Sequence, residues 1–204
     1  MKQFSQLATR IFQEAIQAYE LRGSVDTPCT GNPYPEHTIE HDLFCKNWID
    51  NAQWCLEDII RDPEIDPVEA LKIKRRIDRS NQERTDLVEL IDSFFYTHFA
   101  DVKPLPDAKI NTESPAWAID RLSILALKIY NMNKAVQQAG SDEALREKCA
   151  SKLRTLREQE VDLTTAINEL LEDIAAGRKY MKVYKQMKMY NDPELNPMLK
   201  GQTL

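Results

Sequence analysis

The apolar residues of this chain recur at helical intervals almost from its start. Phe4, Leu7, Ile11, Ala15 and Ala18 step by three and four, which predicts a first amphipathic helix over 4–21, ended by Gly23. A loop to Glu36 follows, punctuated by Pro28, Gly31, Pro33 and Pro35, and it has the length that active-site lids have. The second helix, 38–61, gathers Phe44, Trp48, Ala52, Cys55 and Ile59 on one side, flanked by Asn47, Asn51 and Asp58. The third, 67–99, opens with Asp66 as N-cap, Pro67 at the first helical position and Glu69 near the positive helix end.

A connector with Pro104 and Pro106 leads to Ser114-Pro115, where the cap-plus-proline start repeats. The fourth helix, 115–139, carries Ala118, Ile119, Leu122, Leu125, Ala126, Ile129 and Val136, with Ile124 and Leu127 on other sides. A helix apolar on most sides is central. The fifth, 142–176, is spaced four-three at Cys149, Leu153, Leu156, Glu160, Leu163, Ile167, Leu170 and Ile174, and Gly177 is its stop. That spacing is a seam packed at a shallow angle against a neighbour. A short basic helix over 178–190 completes the prediction. The expected fold is all-α, a single domain over 1–204 built as an elongated antiparallel bundle of five long helices.

Composition supports this class. Five glycines among 204 residues are too few for a sheet protein with tight turns, and one domain of this size hides roughly 70% of its unfolded surface. The formal charge of -6 argues against nucleic acid and against anionic membrane surfaces, both of which need a positive face. No stretch has the continuous apolar run of a signal peptide or a membrane span, so a cytoplasmic protein is expected. Cys29, Cys45, Cys55 and Cys149 lack C-x-x-C spacing, and Cys45 and Cys55 lie roughly 15 Å apart on one helix, too far to pair. Free thiols are expected.

Candidate chemistry concentrates on the third helix. Ala70, Ile73, Ile77, Val88, Ile91, Phe95 and Phe99 define one face, and Asn81 and Arg84 fall within it, with Lys74, Ser80 and Asp92 at its margins. An arginine facing a bundle interior stays charged, so it must find carboxylates or leave a charge uncompensated. Glu160, Asp58 and Asp120 are the candidates, and the expected cluster joins Arg84 and Asn81 to Glu160 and Asp58. Such a cluster is either a structural ion-pair network or an inter-helix pocket. In the pocket reading Arg84 anchors an anion, Asn81 and Asn51 orient it, and Asp58 or Glu160 exchanges the proton.

Three further patterns carry less. His37-Thr38-Ile39-Glu40-His41 reads as H-x-x-E-H, an inverted zinc-protease motif, but at a proline-rich helix start with no third ligand in view. Helix-start histidines explain it as well, and no metal or cofactor is called for. Asp86, Glu89 and Asp92 resemble the carboxylate ladder of bundle pyrophosphatases, but Asp86 and Glu89 project to the solvent side. Residues 178–190 hold Arg178, Lys179, Lys182, Lys185 and Lys188 and no acid, with Tyr180, Tyr184 and Met187 as a stripe. Lys182 and Lys185 would hold a phosphate or an acidic partner, or else the stripe docks on the bundle and the lysines face water.

The segments NWIDNAQWCLEDIIRDPEIDPVEALKIKRRIDRSNQERTDLVELID, INTESPAWAIDRLSILALKIY and GRKYMKVYKQMKMYNDPELNP resemble the bacterial family known as domain of unknown function 4254, from about Asp42 to Pro197. That resemblance implies no activity, ligand or catalytic residue. The chain departs from it at Trp54-Cys55, where relatives carry Trp-His, so a role resting on that histidine does not transfer. Two expectations stand at this point: a protein binding a small anionic or phosphorylated ligand between helices, or a non-catalytic scaffold or homo-oligomerisation module that uses the fifth-helix seam or the basic tail.

Overall fold

The computed structural model describes residues 3–185, 187, 192 and 194–197. Among these, five α-helices dominate: α1 (Phe4–Arg22), α2 (Ile39–Ile59), α3 (Pro67–His98), α4 (Pro115–Gln138) and α5 (Glu143–Ala175). Two short strands, β1 (Lys109–Ile110) and β2 (Lys179–Tyr180), pair in parallel. The protein is an all-α bundle, and no helix among the described residues is long and apolar enough to cross a membrane.

The helix boundaries follow local chemistry. Asp66 accepts hydrogen bonds from the backbone N–H groups of Val68 and Glu69, and Pro67 spends its missing N–H where the helix has no use for one. Thr38 caps α2 through the N–H of His41, and Asp142 caps α5 through that of Leu145. At the far end of α5 the N–H of Arg178 reaches the carbonyl of Asp173 and that of Gly177 reaches Ile174, with Gly177 at φ 71°. This six-to-one and five-to-two pairing turns the chain sharply off the helix axis.

That turn corrects the expected basic helix over 178–190. Instead of restarting, the chain extends alongside the connector: Lys109 N–H donates to the Arg178 carbonyl and Asn111 N–H to that of Tyr180, and residues 181–185 have no regular structure. Residues 186 and 188–190 of the expected helix lie outside the described residues.

The helix directions follow from side-chain pairs. Asp50 and Gln53 of α2 meet Arg84 and Asn81 of α3, so those helices are antiparallel. Lys128 lines one hollow with Thr155 and Asp120 lines another with Ala166, which sets α5 antiparallel to α4. α1 departs from simple alternation. Its start meets the end of α3 through Phe4 and Phe95, and its end meets the end of α4 through Glu20 and Lys134, so it runs alongside α2 in the same direction. Residues 23–38 must therefore return the whole length of the bundle, which explains their number. This loop is fastened rather than free: Trp48 Nε1 donates to the Thr27 carbonyl at 3.0 Å, Arg22 to that of Gly31 at 2.8 Å, and the Tyr34 hydroxyl to Glu14.

The main core lies where α1, α2, α3, α4 and the last turns of α5 converge, with Phe12, Phe44, Trp48, Phe95, Ile119, Leu122, Leu127 and Leu171 fully enclosed. α5 packs on α4 and α1 but not on α2 or α3. Its buried residues, Ile167, Leu170, Leu171 and Ile174, all fall in its last third. A cleft opens where α5 stands away from the α2–α3 pair, and α4 forms its floor.

Candidate functional site

α2 is packed from three sides, by α1, α3 and α4, and it brings polar residues into the interior. Lys46 has no solvent exposure at all and Asp50 has 2%. An ammonium ion cannot lose its hydration without carboxylate partners. Lys46 Nζ lies 2.5 Å from Asp50 Oδ2 and 2.8 Å from Asp120 Oδ1 of α4. Arg84 of α3 donates from Nε to Asp50 Oδ1 at 2.5 Å and from Nη2 to Asp120 Oδ1 at 3.2 Å. Two cations and two carboxylates thus form a neutral quartet joining three helices.

Hydroxyl and amide groups complete it. Ser123 Oγ donates to Asp50 Oδ2 at 2.6 Å, Asn47 Nδ2 to Ser123 Oγ at 2.9 Å, and Asn51 Nδ2 to Asn47 Oδ1 at 3.0 Å. Burial works against the charge on Arg84, yet the carboxylates of Asp50 and Asp120 outweigh it and hold the guanidinium above its usual pKa.

The expected residues fall as follows. Arg84 is in a buried cluster and Asp120 is one of its partners, but its other carboxylate is Asp50 rather than Asp58 or Glu160. Asp58 is exposed, one turn of helix beyond Trp54, where it lines the cleft without joining the cluster. Glu160 pairs with Arg157 of its own helix, on the part of α5 that leaves the core. Asn81 accepts a 2.7 Å hydrogen bond from Gln53 Nε2, and Asn51 Nδ2 donates to Asn47 Oδ1 at 3.0 Å. Lys182 and Lys185 are exposed on the extended tail. Lys46 and Asp50 were not anticipated. Their i, i+4 spacing on a helix packed from several sides was the available signal.

The remaining sequence patterns resolve differently. His37 precedes the Thr38 cap with φ 65°, outside the helix, so it and His41 do not share a helical face. Among the described residues no group of three or more His, Cys, Asp or Glu is arranged to hold a metal ion. Asp86 is exposed and bonded to Gln82, whereas Asp92 is buried against the start of α4, near the Ala116 N–H, and burial raises its pKa.

Above the quartet the cleft holds three neighbouring hollows that share lining residues. The first, about 360 Å³, is lined by Asp50, Gln53, Trp54, Glu57, Asp58 and Arg84. The second, about 610 Å³, runs between Asp120, Ile124, Lys128 and Asp162, and the third, about 420 Å³, between Trp54, Lys128, Met132, Lys152 and Leu156. Ile124 joins the first two, Lys128 the second and third, and Trp54 the first and third. Trp54 thus forms a wall shared by the first and third hollows.

The cleft's cations divide into paired and unpaired, and the carboxylates of Asp58 and Asp162 also line it. Arg84 belongs to the quartet, Arg61 pairs with Glu57, and Arg121 pairs with Glu113. Lys128 and Lys152 have no ion-pair partner among the described residues, and both line the third hollow beside Asn131 and Thr155.

The family model described as "Protein of unknown function (DUF4254)" matches residues 40–183, which spans α2 through β2 and so includes the quartet and the whole cleft. The chain belongs to the DUF4254 family. No curated protein and no solved structure matches it. The DUF4254 segment begins at the first turn of α2, so α1 and the whole loop after it lie before the matched region.

Proposed function

We propose that this DUF4254 protein binds a small anionic ligand with an aromatic or apolar body in the α2–α4–α5 cleft. The observation that carries the reading is the pair of unspent lysines, Lys128 and Lys152, beside the apolar walls of Trp54, Met132 and Leu156. A flat ring against the Trp54 indole is held by dispersion and stacking, while the two ammonium groups neutralise a phosphate or carboxylate. Asn131 and Thr155 supply further hydrogen-bonding groups. A hollow of about 420 Å³ suits a ligand of nucleotide size.

This places the anion away from Arg84, whose guanidinium already serves two carboxylates. It assigns the quartet a structural part: fixing the register of α2, α3 and α4, and hence the position of Trp54 one turn from Asp50. A thermal-shift screen tests the reading with nucleoside monophosphates and phenyl phosphate as probes, and with adenosine and inorganic phosphate alone as controls. Stabilisation is expected only from probes that combine ring and anion. Equal response to the controls, or none to any probe, contradicts it.

A second reading rests on the first two-thirds of α5. Its seam residues Cys149, Leu153 and Leu156 are only half-buried and Leu145 and Val161 are exposed, so a second copy laid along this helix would cover them. A monodisperse monomer by light scattering at high concentration removes that reading without touching the first.

A further inference from the structure

Away from the cleft, the returning loop places Cys29 against Cys45 of α2, with sulfurs 3.1 Å apart. A disulfide requires about 2.05 Å, so an approach of roughly 1 Å would close the bond. All four cysteines, Cys55 and Cys149 included, are free thiols. The surroundings of the close pair are those of an activated thiol rather than of an inert packed one.

His41 lies one helical turn before Cys45. Its Nδ1 is 3.1 Å from the Tyr34 carbonyl, which can only accept, so Nδ1 carries the hydrogen and Nε2 presents its lone pair to Cys45 Sγ at 3.5 Å. Asn32, also on the loop, donates from Nδ2 to Cys45 Sγ at 3.4 Å and to the His41 carbonyl at 3.1 Å. The hydrogen bond with Cys29, then Asn32 and His41, outweigh burial and lower the Cys45 thiol to about pKa 6. The same contact and burial push Cys29 up, so it keeps its proton. One thiolate nucleophile and one protonated partner thus sit side by side. Both are half-buried, and Cys29 also lines a hollow of about 280 Å³ between the loop, α2 and α3.

We propose that Cys29 and Cys45 form a hydroperoxide-reactive dithiol site in which Cys45 is oxidised first and Cys29 resolves it to a disulfide. The proton of Cys45 passes to His41 Nε2. The thiolate then attacks the terminal oxygen of the hydroperoxide, the O–O bond breaks, and the leaving oxygen takes the proton from His41, giving an alcohol or water and a sulfenic acid on Cys45. Cys29 attacks that sulfur. The hydroxyl leaves with the Cys29 proton as water, and the S–S bond forms. Two electrons move from the two thiols to the peroxide, and no other reductant is consumed. The product ties the loop to α2 next to Lys46, at the edge of the quartet.

The test is oxidation of the reduced full-length protein with a small excess of hydrogen peroxide at pH 7, followed by intact-mass and peptide mapping. The expected result is a loss of about 2 Da carried by a Cys29–Cys45 peptide, before any change at Cys55 or Cys149. Cys29→Ser should instead accumulate a dimedone-reactive sulfenic acid on Cys45. Cys45→Ser should lose the crosslink and react about tenfold more slowly. Preferential oxidation of Cys55 or Cys149 in the wild-type protein, or Cys45 alkylating with a pH midpoint in the ordinary thiol range near 8.5, overturns the proposal whether or not the serine variants fold.

Discussion

Replacing Lys46 with methionine removes one cation from a neutral quartet and leaves the chain length of the side chain nearly intact. The ammonium lies 2.5 Å from Asp50 and 2.8 Å from Asp120. Without it, two carboxylates face one guanidinium, in a site where Asp50 has 2% exposure. Removing one partner of a buried pair costs about 3–5 kcal/mol, mostly the penalty of the charge left behind. For a domain of this size, about 4 kcal/mol lowers Tm by roughly 8–16 °C. The assay is urea unfolding followed by circular dichroism at 222 nm, with the m-value as a check that the native state stays compact. Adding Asp120→Asn to Lys46→Met restores neutrality, leaving Asp50 with Arg84 and Ser123. The double variant should therefore be more stable than the sum of the single losses, with a coupling of about 2 kcal/mol. A Lys46→Met protein within about 1 kcal/mol of wild type, or strictly additive losses, refutes the reasoning.

Two further predictions concern the ends of the long helices. Gly177→Ala should destabilise by at least about 2 kcal/mol in the same unfolding assay, because φ 71° disfavours a side chain and an added Cβ would lie 2.8 Å from the Lys103 carbonyl oxygen. Asp92→Asn should show a pH-dependent difference from wild type. Burial raises the folded pKa of Asp92, so its contribution is fully present below the unfolded value near 3.9 and is lost as pH rises through the folded one. Stability measured from pH 3.5 to 7 should move steadily in favour of the asparagine variant, and a flat difference contradicts it.

The helices were legible because their signals are local. Asp66-Pro67, Pro115 and Gly177 each act within one turn, although the Ser114 side chain makes no cap bond, and the four-three seam of α5 needs no knowledge of its neighbours. Failures arose where a residue's surroundings came from elsewhere in the chain. Projecting α2 onto one apolar side put Lys46 and Asp50 outside it, yet α2 packs on α1, α3 and α4 and has no single face. Glu160 sits in the seam by spacing, but the seam leaves the core before reaching it. The tyrosines at 180 and 184 imitate a helical stripe, while the Gly177 turn sends that segment to pair with β1. The Cys29–Cys45 approach depends on a parallel α1 and α2, which no interval within either helix encodes.

The ring-plus-anion cleft is tested most directly by titrating the strongest thermal-shift probe against intrinsic tryptophan fluorescence, with Trp54→Phe identifying the reporting ring. Comparison of wild type with Lys128→Ala/Lys152→Ala isolates the two lysines, since neither is part of the core or of an ion pair among the described residues. The account predicts at least about a tenfold rise in Kd for the double variant, with an unchanged melting temperature in the absence of probe. An unchanged Kd would contradict it.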